Sequence, residues 1–455
     1  MAAISSQGWN MSSIDKVLIV AEHASLKFGG EASLPWHYFT RLRARGIETW
    51  LVVHERTREE LTSLAPDAVD HMHFIKDTWL NILMWKLGQH VPDQLANITV
   101  GYISRLATQM AARRITRELV HKLGIQVVHQ PIPVSPREPS LIANVGAPVV
   151  IGPMNGNMSY PPGVHPKGRT SGWGDILFKL GRRLSDGLHL LMRGKREAAL
   201  LLAANERTRA VLPTNIGGTA AMLVENGIDV ELWTQRSYAD DLPGKPVRFV
   251  YLGRLVDWKA ADLLLLAFGR VKSREELVEL DIVGDGPMRS TLEALVEAMD
   301  LVGRVRFLGF LPQRECARVL QQSDVFVMPS IHECGGAVVL EAMAVGLPVI
   351  ATKWGGPDDY LDDDCGVLVP PTSRDDIVAG FAEAMQRLSD DVNLRRRLGE
   401  AGRAKALRHF DWDDKITQII QLYAVAIKNQ ITAAEDEDVN SNEREKQILL
   451  NVGGK

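Results

Sequence analysis

The stretch SIHECGGAVVLEAMAVGLPVIAT, Ser330 to Thr352, opens where a strand ends at Pro329–Ser330. A short loop with Glu333, Gly335 and Gly336 follows, then a helix from about Ala337 to Val345, then the apolar run LPVIAT. Two glycines at a helix N-terminus present N–H groups and the positive end of the helix dipole, a setting suited to an anionic diphosphate. Glu333 lies on the loop and Glu341 on the helix. Both carboxylates can accept hydrogen bonds from hydroxyl groups of a ligand held there. Two glutamates at this spacing also arise as solvated surface groups, so it is the strand–loop–helix setting that singles them out.

Outward from this stretch, short apolar runs alternate with helical lengths. KVLIV (Lys16 to Val20), TWLVV (Thr49 to Val53), QVVH (Gln126 to His129) and PVVIG (Pro148 to Gly152) read as buried strands of a first half. VRFVYLG (Val247 to Gly253), ELDIVG (Glu279 to Gly284), RVRFLG (Arg304 to Gly309), DVFVMPS (Asp324 to Ser330) and LPVIAT (Leu347 to Thr352) read as those of a second. Continuous apolar strands separated by helices indicate parallel sheets covered on both faces. The expectation is an α/β chain of two doubly wound, Rossmann-like domains, 1–230 and 231–410. The polar, Gly- and Pro-containing segment Glu225 to Pro246 is the expected seam. Ile416, Ile419, Ile420 and Tyr423 mark a final amphipathic helix over 411–430, and 431–455 is charged enough to read as a disordered tail.

The 455 residues are 45% hydrophobic and 24% charged, which supports a large core. A net charge of −4 gives no sign of a nucleic-acid partner. Three cysteines without paired spacing fit a reducing compartment. Neither a leader pattern nor a run of spanning length is evident, so a cytoplasmic protein is expected. One segment stands apart: Pro161 to Leu200 holds eight basic residues against three acidic ones, with Trp173 and Phe178 among them. It reads either as a solvated helical insertion or as a contact with an anionic membrane surface or lipid-linked acceptor.

The segment around Glu333 and Glu341 resembles the Glu-x7-Glu signature of the family 4 retaining glycosyltransferases, which have the GT-B fold. YLGRLVDWKAADLLLLAF resembles the family's G-R-x-x-x-x-K stretch, with Arg254 and Lys259 in the positions that grip the donor diphosphate. DIVGDGPMRSTLEALV, with Gly284 and Gly286, resembles the G-x-G-P turn beside the nucleotide, and ENGID resembles the interdomain crossover. EHASLKFGGEA, with Gly29 and Gly30, resembles the G-G loop of the first domain, although a Gly pair after a strand is also simply a tight turn. VVHQP resembles the H-x-P stretch whose histidine, here His129, contacts the transferred sugar; a lone histidine is more often a satisfied structural group. FDWDDKITQIIQLY looks like the terminal helix that returns to the first domain.

The resemblance implies two domains facing across a cleft and retaining transfer of a hexose from a nucleotide-diphosphate sugar to a hydroxyl of a glycan or lipid-linked acceptor. It implies no metal and no cofactor beyond that co-substrate, and a role in cell-surface polysaccharide or glycolipid assembly. Glu333, His129, Arg254 and Lys259 are then the catalytic candidates. Arg254, Lys259, Gly284, Gly286, Gly335, Gly336, Glu341, Gly29 and Gly30 are those for the donor. The cations have their own rationale, because breaking a sugar–phosphate bond puts charge on the departing diphosphate. The sequence departs from the pattern at Cys334–Gly335–Gly336, where an aromatic is usual, and at Ala260, where glycine is usual; the first suggests a looser loop and the second a small cost. A nucleotide-sugar epimerase of the same fold and a non-catalytic sugar-nucleotide-binding protein remain open alternatives.

Overall fold

The computed structural model describes residues 14–27, 30–88, 100–164, 193–213, 216–237, 245–272 and 278–430. The chain forms two compact units.

The first unit is built on seven parallel strands: β1 (Lys16–Val20), β2 (Glu48–His54), β3 (Met72–Ile75), β4 (Val127–Gln130), β5 (Val149–Met154), β6 (Leu200–Ala203) and β7 (Thr219–Met222). Their order is β3-β2-β1-β4-β5-β6-β7, so the winding reverses between β1 and β4. Val17, Leu18, Ile19, Val127 and Val128 are fully buried, as covering both faces requires. The second unit has six parallel strands: β8 (Val247–Leu252), β9 (Val278–Val283), β10 (Val305–Gly309), β11 (Val325–Met328), β12 (Val349–Thr352) and β13 (Gly366–Val369). Their order, β10-β9-β8-β11-β12-β13, places the reversal between β8 and β11. At such a switch point the two neighbouring strands send their following segments to opposite faces, and a crevice opens at their carboxyl ends. The loops after β8 and β11 carry Arg254, Lys259 and Glu333.

All nine expected strands are present. The additional ones, β3, β6, β7 and β13, are four residues each. In β6 the sequence LLLA has more helical than extended propensity, and only its place beside β5 makes it a strand.

The expected domain limits shift in two places. The units divide between Glu225 and Asn226, and residues 156–164 associate with the second unit rather than the first. Packing accounts for the latter: a Cβ at Gly163 would lie 2.8 Å from the carbonyl oxygen of Thr372, and Trp354 donates its indole N–H to the Ser159 carbonyl at 2.9 Å. The crossover glycine, Gly227, lies against the Trp412 ring, 2.9 Å from where its Cβ would be. A last helix covers 412–430, and from Ile416 onward its residues group with the first unit. Among the described residues no helix is long and apolar enough to cross a membrane. The expected tail, 431–455, lies outside the described residues.

Candidate active site

Strand β8 runs out at Leu252 into Gly253–Arg254, then into a single turn over Asp257–Lys259. This loop is locked to the turn after β9. Leu255 N–H donates to the Asp285 carbonyl at 2.9 Å, and Met288 N–H donates to the Leu255 carbonyl at 3.0 Å. Such closeness requires glycine: a Cβ on Gly284 would fall 1.9 Å from the Gly253 carbonyl oxygen, and one on Gly286 would fall 2.4 Å from that of Leu255. Both glycines also hold positive φ, +131° and +156°. Gly284 and Gly286 therefore fix the backbone that carries Arg254. Tyr251, fully buried, donates its hydroxyl to the Arg254 carbonyl at 3.1 Å, and the Arg254 side chain itself is exposed.

Ala260 differs from the expectation. It adopts the left-handed conformation, φ 51° and ψ 36°, at the entry to the helix Ala261–Phe268. For a residue with a Cβ this costs about 1–2 kcal/mol, so alanine here is strained rather than nearly neutral.

The loop after β11 meets this turn directly. Ile331 N–H donates to the Trp258 carbonyl at 3.0 Å, and the Lys259 ammonium is paired with the Glu333 carboxylate. Both side chains are largely enclosed. Gly336, at φ +74°, then turns the chain into the helix Ala337–Val345; a Cβ there would sit 3.0 Å from Glu333 Cγ. The helix thus begins against the carboxylate, and its first N–H groups have no partner within the helix. Arg254, Lys259, Glu333, Gly284, Gly286, Gly335 and Gly336 all belong to these three interlocked loops of the second unit.

A fourth loop joins these three and was not among those singled out from sequence. Gly355 and Gly356, in the WGGP segment after β12, back the Glu333 loop: Gly356 N–H donates to the Glu333 carbonyl at 2.8 Å. A Cβ on Gly356 would lie 1.9 Å from the Gly335 carbonyl oxygen, and one on Gly355 would lie 2.2 Å from that of Glu333. The backbone of the Gly355–Gly356 turn thus packs directly against the Glu333 loop. His332 meets the Tyr160 ring at a tilt, with centroids 4.8 Å apart, and burial lowers its pKa with a smaller push from Lys259, while Glu333 opposes the shift. The signal for the fourth loop was present in the sequence, since Gly-Gly-Pro after a buried strand is a close-packed turn.

Glu341 lies in the second turn of the helix Ala337–Val345. It keeps partial exposure, but the surrounding protein raises its pKa to about 8 through loss of solvation. Nearby Cys316 is pushed up to about 12, first by burial and then by the Glu341 charge. Loss of solvation therefore favours the neutral acid form of Glu341.

The first unit corrects two expectations. His129 has no exposed surface, and both ring nitrogens are engaged: Nε2 lies 2.6 Å from the Gly152 carbonyl and Nδ1 lies 2.7 Å from the Tyr423 hydroxyl. A carbonyl only accepts, so Nε2 carries the proton and Tyr423 donates to Nδ1. The rings of Tyr38 and Tyr423 meet the imidazole edge-on at 4.7 and 5.5 Å. His129 is a buried anchor for the last helix, and no sugar can reach it as it stands. Lys195, from the basic segment, is likewise buried: its ammonium donates to the carbonyls of Ser135 and Pro136 at 3.1 and 2.8 Å, and burial depresses its pKa to about 7. Gly30 begins a short helical turn, Gly30–Ser33, in the first unit. Gly29 and residues 165–192 of the basic segment lie outside the described residues.

Known proteins resemble both halves of this arrangement. Residues 238–405 match the family described as glycosyl transferases group 1. The chain is 28% identical over 265 residues to a glycogen synthase of Mycobacterium tuberculosis, covering 58% of this chain and 62% of that protein. It is 34% identical over 185 residues to the lipopolysaccharide core biosynthesis glycosyltransferase LpsE of Rhizobium meliloti, covering 40% of this chain and 52% of that one. The chain thus spans less than two thirds of these relatives. Among solved structures, the sucrose-phosphate synthase of Thermosynechococcus elongatus superposes with a TM-score of 0.64 at 20% identity, covering 92% of this chain and all of that one. HepE of Anabaena in complex with UDP-glucose does so at 0.59 and 17%, covering 90% and 99%. The chain has the GT-B fold, and its second unit carries the glycosyl transferases group 1 match.

Proposed function

We propose that this protein is a retaining family 4 glycosyltransferase that moves a hexose from a nucleotide-diphosphate sugar to an acceptor hydroxyl. The observation that carries the reading is the Lys259–Glu333 pair at the start of the helix Ala337–Val345, locked to the Arg254 loop at the switch point of the second sheet. Lys259, Arg254 and the helix N–H groups provide the positive potential that a departing diphosphate needs, and they provide it without a metal. The sugar C1–O bond to the diphosphate breaks, and the acceptor oxygen bonds to C1 on the same face. The acceptor proton passes to an oxygen of the departing diphosphate. Glu333 holds Lys259 in place before the donor arrives and then accepts hydrogen bonds from sugar hydroxyls. Glu341 receives the ribose diol.

HepE was solved with UDP-glucose, which makes a UDP-hexose the first donor to test. The relatives act in glycogen and lipopolysaccharide synthesis by name, which supports a polysaccharide or glycolipid acceptor. Incubation with UDP-, GDP- and ADP-hexoses, followed by assay of the freed nucleotide, tests the proposal. Release of nucleoside diphosphate is expected. An isomerised sugar would indicate an epimerase instead, and tight nucleotide binding without turnover would indicate a non-catalytic binder.

A further inference from the structure

Strand β5 ends at Met154, and the stretch that follows Asn155, from Gly156 to Val164, groups with the second unit. Its far end is fastened there. Val164 is fully buried in the main core of that unit, and Gly163 turns at φ +84° with no room for a Cβ beside the Thr372 carbonyl. The residues before this anchor touch two loops. Met158 packs its thioether on the bare Cα of Gly355, 2.5 Å from where a Cβ would stand. The Ser159 carbonyl accepts the Trp354 indole N–H at 2.9 Å. Tyr160 packs on the core and meets the His332 ring with centroids 4.8 Å apart.

These contacts bracket Glu333. His332 precedes it in the chain, and the Gly356 N–H holds its carbonyl at 2.8 Å. The Glu333 backbone therefore sits between a ring that leans on Tyr160 and a turn that leans on Met158. A side chain at Gly355 would meet both the Glu333 carbonyl oxygen, at 2.2 Å, and the Met158 sulfur, so turn, loop and strap form one pressed layer. A segment that merely covered the core would place its tight contacts on core side chains. Here the tight ones, from Met158 and Ser159, fall on the Trp354–Gly355 turn. The backbone beneath a carboxylate decides where the charge stands, and a displacement of about 1 Å at a reacting group can cost about 10²-fold in rate. The Arg254 loop is fastened separately, through Leu255 and Met288 to the turn after β9, so the two holds can be disturbed one at a time.

We infer that residues 156–164 form a strap that sets the position of the Glu333 carboxylate, with Met158 and Tyr160 as its positioning residues. The strap's part in turnover rests on the transferase reading; its hold on the loop does not. Two variants of the full chain test it: Tyr160→Leu, which removes the ring but keeps apolar bulk, and Met158→Ala, at a partly exposed side chain. Hydrogen exchange at the Gly356 N–H reports the hold and needs no donor. It is expected to quicken about ten-fold or more in both variants, while the Leu255 and Met288 N–H groups keep their wild-type rates. With a UDP-hexose, kcat is expected to fall about ten-fold at unchanged UDP affinity. Tyr160→Phe, which keeps the ring, holds exchange and kcat at the wild-type level. If Tyr160→Leu fails to fold, Met158→Ala carries the test. Wild-type exchange at Gly356 in both variants overturns the inference, as does faster exchange with kcat unchanged. Equal quickening at Gly356, Leu255 and Met288 overturns it too, since the strap would then support the unit as a whole. Should the wild type release no nucleoside diphosphate from any donor, the transferase reading fails, and Gly356 exchange alone decides whether the strap holds the loop.

Discussion

The Lys259 ammonium and the Glu333 carboxylate are paired across a separation of 74 residues, each supplied by a loop that flanks the reversal of the second sheet. In the empty protein, the cation assigned to the diphosphate is already neutralised. A donor must draw Lys259 away from Glu333, so the two substitutions act in opposite directions on binding. Lys259→Ala removes a charge-assisted contact and weakens UDP binding roughly 10- to 100-fold. Glu333→Gln releases the lysine, so UDP binds as tightly or several-fold tighter while turnover falls by about 10²-fold. Titration calorimetry with both variants checks this, and equal weakening in the two would refute it.

Glu341 gives a pH dependence. Its carboxyl titrates near pH 8 in the folded protein against an ordinary 4.5, so the unfolded chain ionises first as pH rises. Its contribution to stability is complete below about pH 4.5 and is lost as pH climbs towards 8. Glu341→Gln therefore gains Tm relative to wild type across that interval. Ribose hydroxyls that favour the carboxylate would make nucleoside binding tighten with pH up to about 8 and release a proton. Calorimetry in buffers of different ionisation heat measures that proton, and a pH-independent affinity would remove Glu341 from the ribose.

The glycine interlock is testable through stability. Gly284→Ala and Gly286→Ala place a methyl 1.9 and 2.4 Å from carbonyl oxygens at positive φ. Each is expected to cost roughly 2–4 kcal/mol and to weaken UDP binding through displacement of Arg254. Gly303→Ala, also at positive φ but with open space around it, costs only about 1 kcal/mol and leaves binding alone. Denaturant titration separates the two cases.

Tyr423→Phe examines the corrected role of His129. Loss of the 2.7 Å hydrogen bond to Nδ1 leaves a buried acceptor unmet, at a cost of about 1–3 kcal/mol. UDP affinity should not change. A large loss of turnover with stability and UDP affinity intact would return His129 to the transferred sugar.

How much of this was readable beforehand follows physical lines. Apolar runs such as KVLIV and DVFVMPS named their own strands, since a strand buried on both faces has no polar positions to confuse the pattern. Strands β6 and β13 escaped because four residues carry little periodicity and their neighbours decide them. Gly284, Gly286 and Gly336 do lie where the sequence pattern calls for close backbone packing, whereas the equally plain Gly355–Gly356 pair after β12 was passed over. His129 misled because its position at a strand end says nothing about the side chains around it. Those arrive from Tyr38 and from Tyr423, the latter 294 residues beyond His129. Ala260 misled in the same way, since only φ reveals its strain.

The interlock at Gly284 and Gly286 also bears on how the molecule meets a ligand. Carbonyls pressed into methyl-free pockets leave the Arg254 loop little room to swing, and Ala260 keeps an unfavourable torsion beside Lys259 rather than relaxing. The backbone that presents Arg254 is therefore set in place before any ligand arrives, while the Lys259 side chain still has to leave Glu333. On the proposed reading, discrimination among nucleotide-sugar donors then falls to the side chains around this fixed backbone rather than to its movement.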